Sequence, residues 1–199
     1  MLTLTLCLLD VSVIYILNIL GGLRMLPYTR CSLYVLGYGM LVETLCRDRS
    51  IIIPYSLINF AAINITFNSS YLLDNTSFDR FADKYGMTLL GFHRFNISVH
   101  LIPFVFVAYR YYAHKHLYNK LFTSTCISPL KVAVFSSILH IQWAFISCKG
   151  LDLCNMYIHM TYNQWLILWI LGTLTNISMG KLLSPSVRHN ATPKNILQT

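Results

Sequence analysis

Leu2-Thr-Leu-Thr-Leu-Cys-Leu-Leu-Asp-Val-Ser-Val-Ile-Tyr-Ile-Leu-Asn-Ile-Leu-Gly-Gly22 is an apolar run interrupted by one charge, Asp10. About 20 apolar residues are what a helix needs to cross the hydrocarbon core of a bilayer. The run lacks the basic leading region of a cleaved signal peptide, so it is expected to stay as a span or signal anchor. Asp10 is costly at that depth and is expected to face protein rather than lipid.

Working outward, the same pattern returns five times. Apolar segments run from about Tyr28 to Cys46, Ile51 to Asn68, Asn96 to Tyr112, Ile127 to Cys148 and Tyr162 to Leu183. Pro27 precedes the second, where a proline starts a helix without losing a needed N–H. The expected fold is therefore all-α: a polytopic membrane protein with about six transmembrane helices. One domain covers residues 1–184, with a luminal loop at about 69–95 and a polar tail at 185–199. Phe78, Phe81, Tyr85 and Met87 recur through that loop and suggest a short interfacial helix. The segment Arg110 to Lys120 reads as a basic, aromatic loop.

Composition agrees. Of the 199 residues, 55% are hydrophobic and only 11% charged, against about 25% charged in soluble domains. That deficit excludes a disordered chain and leaves too few polar side chains to coat a soluble globule. The net charge of +8 is spread thinly between apolar runs. No dense basic patch or nucleic-acid partner is expected; anionic lipid headgroups and the positive-inside bias account for the charge. Membrane lipids are the expected partners.

Lys and Arg also orient the chain. The second and fourth loops and the C-terminal segment hold Arg47, Arg49, Arg110, Lys115, Lys120, Lys131, Lys181, Arg188 and Lys194, against six in the other loops. Both termini are thus expected in the cytoplasm, in the endoplasmic reticulum or plasma membrane. The third loop then faces the lumen. Its sequons at Asn68 and Asn75 make Asn75 the better placed candidate for glycosylation. Of six cysteines, only Cys148 and Cys154 lie close together, and apolar-facing free thiols are the favoured reading.

Polar side chains at membrane depth are functional candidates because their burial must be offset. Asp10, Asn18, Thr29, Glu43, Asn59, Asn64, Asn96, His100, His140, Gln142 and Asn176 form this set. Most are expected to hydrogen-bond helices together. His100 and His114 are spaced for two stacked haems, but His140 has no matching partner. His114-Lys-His116 lacks a nearby carboxylate or thiol for a metal. No metal or cofactor is expected. Thr29 and His100 begin the second and fourth spans, which start on the same side of the membrane. Their depths match, as a hydroxyl nucleophile and its imidazole base require. The same two residues could instead be a helix cap and a hydrogen-bonded core histidine, and spacing alone leaves this open.

Gly22-Leu-Arg-Met-Leu-Pro-Tyr-Thr29 and the following Leu33 to Leu45 resemble the second span of the androgen-induced and androgen-dependent TFPI-regulating family of six-span membrane threonine hydrolases. Phe95-Asn-Ile-Ser-Val-His-Leu-Ile-Pro-Phe104 is similar to that family's Asn, His and Pro-Phe pattern. Trp143 and Tyr157 resemble later aromatic positions. The resemblance runs loosely from Gly22 to Trp169, with departures at Leu23 and Ile97. It implies an intramembrane hydrolase acting on fatty acid esters of hydroxy fatty acids. Thr29 would be its nucleophile and His100 its base. Asn96, one helical turn before His100, would orient the imidazole or polarise the ester carbonyl. The competing expectation is a non-enzymatic multi-pass protein, an accessory subunit or small carrier. Asp10, Glu43 and His100 would then pair or line a path.

Overall fold

A computed structural model describes residues 2–23, 28–74, 76–150 and 161–184. Among these the chain is helical with no strand. The helices are α1 (Leu2–Leu23), α2 (Tyr28–Cys46), α3 (Ile52–Leu73), α4 (Ser77–Lys84), α5 (Leu89–Asn96), α6 (Ile102–Ala113), α7 (Lys115–Thr125), α8 (Pro129–Gly150) and α9 (Tyr162–Leu183). A five-residue π-turn, Ile97–Leu101, joins α5 to α6. Asn75, Cys154, Tyr157 and the tail at 185–199 lie outside the described residues, as does the side chain of Cys148.

Local chemistry sets the ends. Arg47 adopts a left-handed φ of 54° where α2 stops, and Cys126 one of 55° between α7 and α8. Gly86, at φ 61°, turns the chain between α4 and α5, a conformation glycine adopts without Cβ strain. Thr88 caps α5 by accepting from the Gly91 N–H at 3.1 Å. Thr161 and Gln164 form a reciprocal capping box at the start of α9.

Helix α3 is the axis of the bundle and packs on α9, α6, α2 and α8. Every residue from Ile52 to Ile63 is buried, so this half of α3 is surrounded by protein. Asn59 lies there, accepting from Tyr28 Oη at 2.9 Å and donating to Ser32 Oγ at 2.7 Å. Asn176 of α9 donates to Ser137 of α8 at 3.1 Å. These contacts match the expectation that polar side chains hold helices together.

Among the described residues Glu43 gathers the densest polar cluster, near the end of α2. Its side chain has no solvent exposure. It accepts from the Ser50 N–H at 3.1 Å, Tyr118 Oη at 2.8 Å, Arg49 at 3.2 Å, and two nitrogens of Arg110 at 3.0 and 2.7 Å. Tyr111 donates to the Leu183 carbonyl at 3.3 Å nearby. The ends of α2, α6 and α9 and the starts of α3 and α7 thus meet. Asp10 is 1% exposed and faces protein as expected, accepting from Ser50 Oγ at 2.8 Å and the Ile51 N–H at 3.2 Å.

Among the described residues only Leu89–Ala113 and Leu166–Leu183 are long and apolar enough to cross a membrane. A third span exists if α7 and α8, bent by 84°, count together. These are fewer than the six expected: Thr5–Gly21 of α1 is apolar but shorter, and α3 carries Asn59, Asn64 and Asn68, the first of them buried against protein. Two expectations about loops need correction. The expected loop at 69–95 holds the short helix foreseen around Phe78, as α4, and is helical beyond it: α3 runs on to Leu73 and α5 begins at Leu89. Phe78, Ala82 and Phe92 form their own apolar cluster there, with Phe67 against it, which gives these short helices something to bury. The expected loop from Arg110 to Lys120 is instead the end of α6 and most of α7. Helix α7 buries Tyr118, Leu121 and Phe122, a helical spacing hidden among basic residues.

Candidate active site

Thr29 is the second residue of α2, and His100 lies in the π-turn between α5 and α6. The two are 71 residues apart, yet Thr29 Oγ1 and His100 Nε2 approach to 2.8 Å. His100 is 5% exposed and Thr29 half-buried. On its other side the imidazole Nδ1 bonds to Asn96 Oδ1. An amide oxygen can only accept. Nδ1 is therefore the donor to Asn96, and in a neutral ring with that tautomer Nε2 is free to accept from the Thr29 hydroxyl. The result is a directed relay: Thr29 O–H to Nε2, and Nδ1–H to Asn96.

The local backbone explains the aim of His100. Pro103 has no N–H to return to the turn behind it, and its ring crowds the carbonyl four residues back. The helix widens rather than breaks, and the Ile102 N–H reaches five residues back to the Ile97 carbonyl. Single π-turns of this kind recur at functional sites. Asn96 sits four residues before His100, close enough for the two side chains to meet on one face.

Neighbouring side chains complete the setting. The Phe67 ring lies 4.5 Å from the His100 ring. Asn64 Nδ2 donates to the His100 carbonyl at 3.0 Å. Tyr28, beside Thr29, stacks on His140 at 4.7 Å and leans on Trp143 at 5.2 Å. Among the described residues no group of three or more His, Cys, Asp or Glu side chains could hold a metal ion. Cys7, Cys31, Cys46 and Cys126 are free thiols.

The three site residues expected from the sequence thus come together. The carbonyl oxygen of Asn96 lies against the imidazole Nδ1 of His100. Asn64 and Phe67 were not singled out for the site. Asn64 carried a signal as a polar residue at membrane depth, whereas Phe67 is indistinguishable in sequence from any core aromatic. No known protein family, curated protein or solved structure matches this chain.

Proposed function

We propose that the chain is an intramembrane hydrolase of lipid esters, with Thr29 as nucleophile and His100 as general base. Fatty acid esters of hydroxy fatty acids are the substrates the family resemblance suggests. The observation that carries this reading is the 2.8 Å contact between Thr29 Oγ1 and His100 Nε2, backed by the bond from Nδ1 to Asn96. A hydroxyl is a weak nucleophile until an adjacent base accepts its proton, and a third group must hold that base in the right tautomer.

In the reaction, Thr29 Oγ1 adds to the ester carbonyl carbon as its proton passes to Nε2. The imidazolium keeps Nδ1–H on Asn96. Collapse of the tetrahedral adduct breaks the ester C–O bond, and the leaving alkoxide takes the proton from Nε2. An alcohol and an acyl-Thr29 ester remain. Water then gives a proton to Nε2 as its oxygen adds to the acyl carbon. Thr29 Oγ1 leaves with that proton, releasing the fatty acid.

The same reading takes six helical units across the bilayer: α1, α2, α3, the α5–α6 unit, α8 and α9. Its support is that buried Asn59 on α3, and Glu43 on α2, face protein and need no lipid-compatible surface. Both termini then lie with the basic ends, in the cytoplasm of an endoplasmic reticulum or plasma membrane protein. The test uses membranes containing wild type, Thr29→Ala or His100→Ala, treated with a fluorophosphonate probe and a panel of fatty acid esters. Labelling and hydrolysis by wild type, with both lost in each variant, is the expected result. A folded wild type that neither labels nor hydrolyses would overturn the proposal and return the accessory-subunit or carrier reading.

A further inference from the structure

Through two asparagines, helix α3 bonds the neighbours of Thr29 on α2 and the main chain of His100. Asn59 accepts from Tyr28, the residue beside Thr29, at 2.9 Å. It also donates to Ser32, the next turn of α2, at 2.7 Å. Asn64 donates to the carbonyl of His100 itself at 3.0 Å, and to the Phe60 carbonyl of its own helix at 2.8 Å. One asparagine thus ties α2 to the axis, and the other ties the π-turn. They are five residues apart, about 7.5 Å along a helix.

The need for such a tie follows from the π-turn. Proline at 103 returns no N–H to the Val99 carbonyl four residues back, so the regular ladder is interrupted next to His100. An amide is suited to tying this turn to α3, since its nitrogen has two hydrogens, enough for the Phe60 and His100 carbonyls together. Phe67, one turn further along α3, meets the His100 ring. The same helix therefore contacts the main chain and the ring of the base.

We propose that Asn64 is a positioning residue: with Asn59 as the fixed point for α2, it sets the separation of Thr29 Oγ1 and His100 Nε2. This rests on the hydrolase reading. Asn64 touches no reacting atom and acts through the His100 backbone. Losing its bond lets the π-turn drift from α3. A misplacement of about 1 Å between reacting groups costs on the order of 100-fold in rate.

The experiment measures fluorophosphonate labelling of Thr29, and kcat and KM on a p-nitrophenyl acyl ester. The proteins are wild type, Asn64→Leu, Asn64→Gln and Asn68→Leu. Leucine keeps the bulk without a donor; glutamine returns an amide. Asn68 is exposed and bonds only along its own helix, to the Asn64 carbonyl, so its variant is the control. Asn64→Leu is expected to slow labelling and kcat by about 100-fold with KM within twofold. Partial recovery is expected in Asn64→Gln and wild-type rates in Asn68→Leu. If Asn64→Leu does not fold, Asn64→Gln decides, with kcat lowered at unchanged KM expected. Wild-type kcat in a folded Asn64→Leu, or in Asn64→Gln where that alone folds, overturns the positioning role and leaves the hydrolase standing. Equal slowing in Asn68→Leu also overturns it, as a general softening of α3. A wild type that never labels overturns both.

Discussion

Replacing Glu43 by glutamine removes one charge and changes almost no volume. The carboxylate receives five hydrogen bonds and no solvent, and two of its partners are guanidiniums. An amide can offer its one carbonyl oxygen to the Arg49 and Arg110 side. Its NH2 then turns toward Tyr118 and the Ser50 N–H. The tyrosine hydroxyl can rotate to accept, but the backbone N–H cannot. Breaking a buried pair by removing one charge costs about 3–5 kcal/mol. Arg49 and Arg110 keep side-chain exposures of 22% and 25%, so water can partly rehydrate them and the lower end applies. About 3 kcal/mol in a chain of this length lowers Tm by about 6–12 °C. The assay is thermal unfolding in lipid nanodiscs, followed by tryptophan fluorescence, with Asp10→Asn in parallel. Asp10 accepts both its bonds through one oxygen, which an asparagine carbonyl can replace, so that variant should fall by far less. A Glu43→Gln shift under about 2 °C, or equal shifts in the two variants, would refute the argument from paired charge. Because Glu43 lies at the other end of α2 from Thr29, folded Glu43→Gln should label with the fluorophosphonate at the wild-type rate.

Other expectations follow from backbone and packing. Pro103→Ala restores an N–H, which lets the π-turn close toward regular helix and swings His100 by about one residue, or 100°. Slower Thr29 labelling at unchanged expression is expected, and an unaltered rate would separate the π-turn from the aim of His100. A Cβ on Gly180 would stand 2.6 Å from the Ala133 Cβ and 3.0 Å from the Pro129 carbonyl oxygen. Backbone cannot step aside as a side chain can, so Gly180→Ala should force α8 from α9 and cost about 1–3 kcal/mol. Gly37 is exposed with nothing within 4 Å of such a Cβ, so Gly37→Ala should hold or raise Tm through helix propensity, by about 1 kcal/mol at most. Thermal unfolding of the two glycine variants side by side checks both signs.

Local information was enough for much of the helical frame. The bounds of α2 and α9, Tyr28–Cys46 and Tyr162–Leu183, coincide with apolar segments readable in the sequence, since hydropathy and helix-starting residues act within a few turns. That Asp10 must face protein was equally legible, because an isolated carboxylate is costly in lipid. A short helix around Phe78 was legible from its recurring aromatics and is α4, but helices α5 and α7 were not legible in this way. Their apolar residues are sparse among charges, and they become a buried face only when a partner such as Phe67 or the Glu43 cluster is present.

The sequence by itself determined an all-helical, apolar chain with polar residues marooned inside its apolar segments. It also named Thr29, His100 and Asn96 as a set worth testing. Tertiary structure alone decided which marooned residues meet. Thr29 and His100 join across 71 positions, while Glu43 gathers Arg49, Arg110 and Tyr118 at the opposite end of the bundle. Hydropathy sums over every face of a helix, so it cannot say which face sees lipid and which sees another helix. Side-chain pairing depends on that rotation, and rotation is set by packing around α3 rather than by any residue's neighbours in the chain.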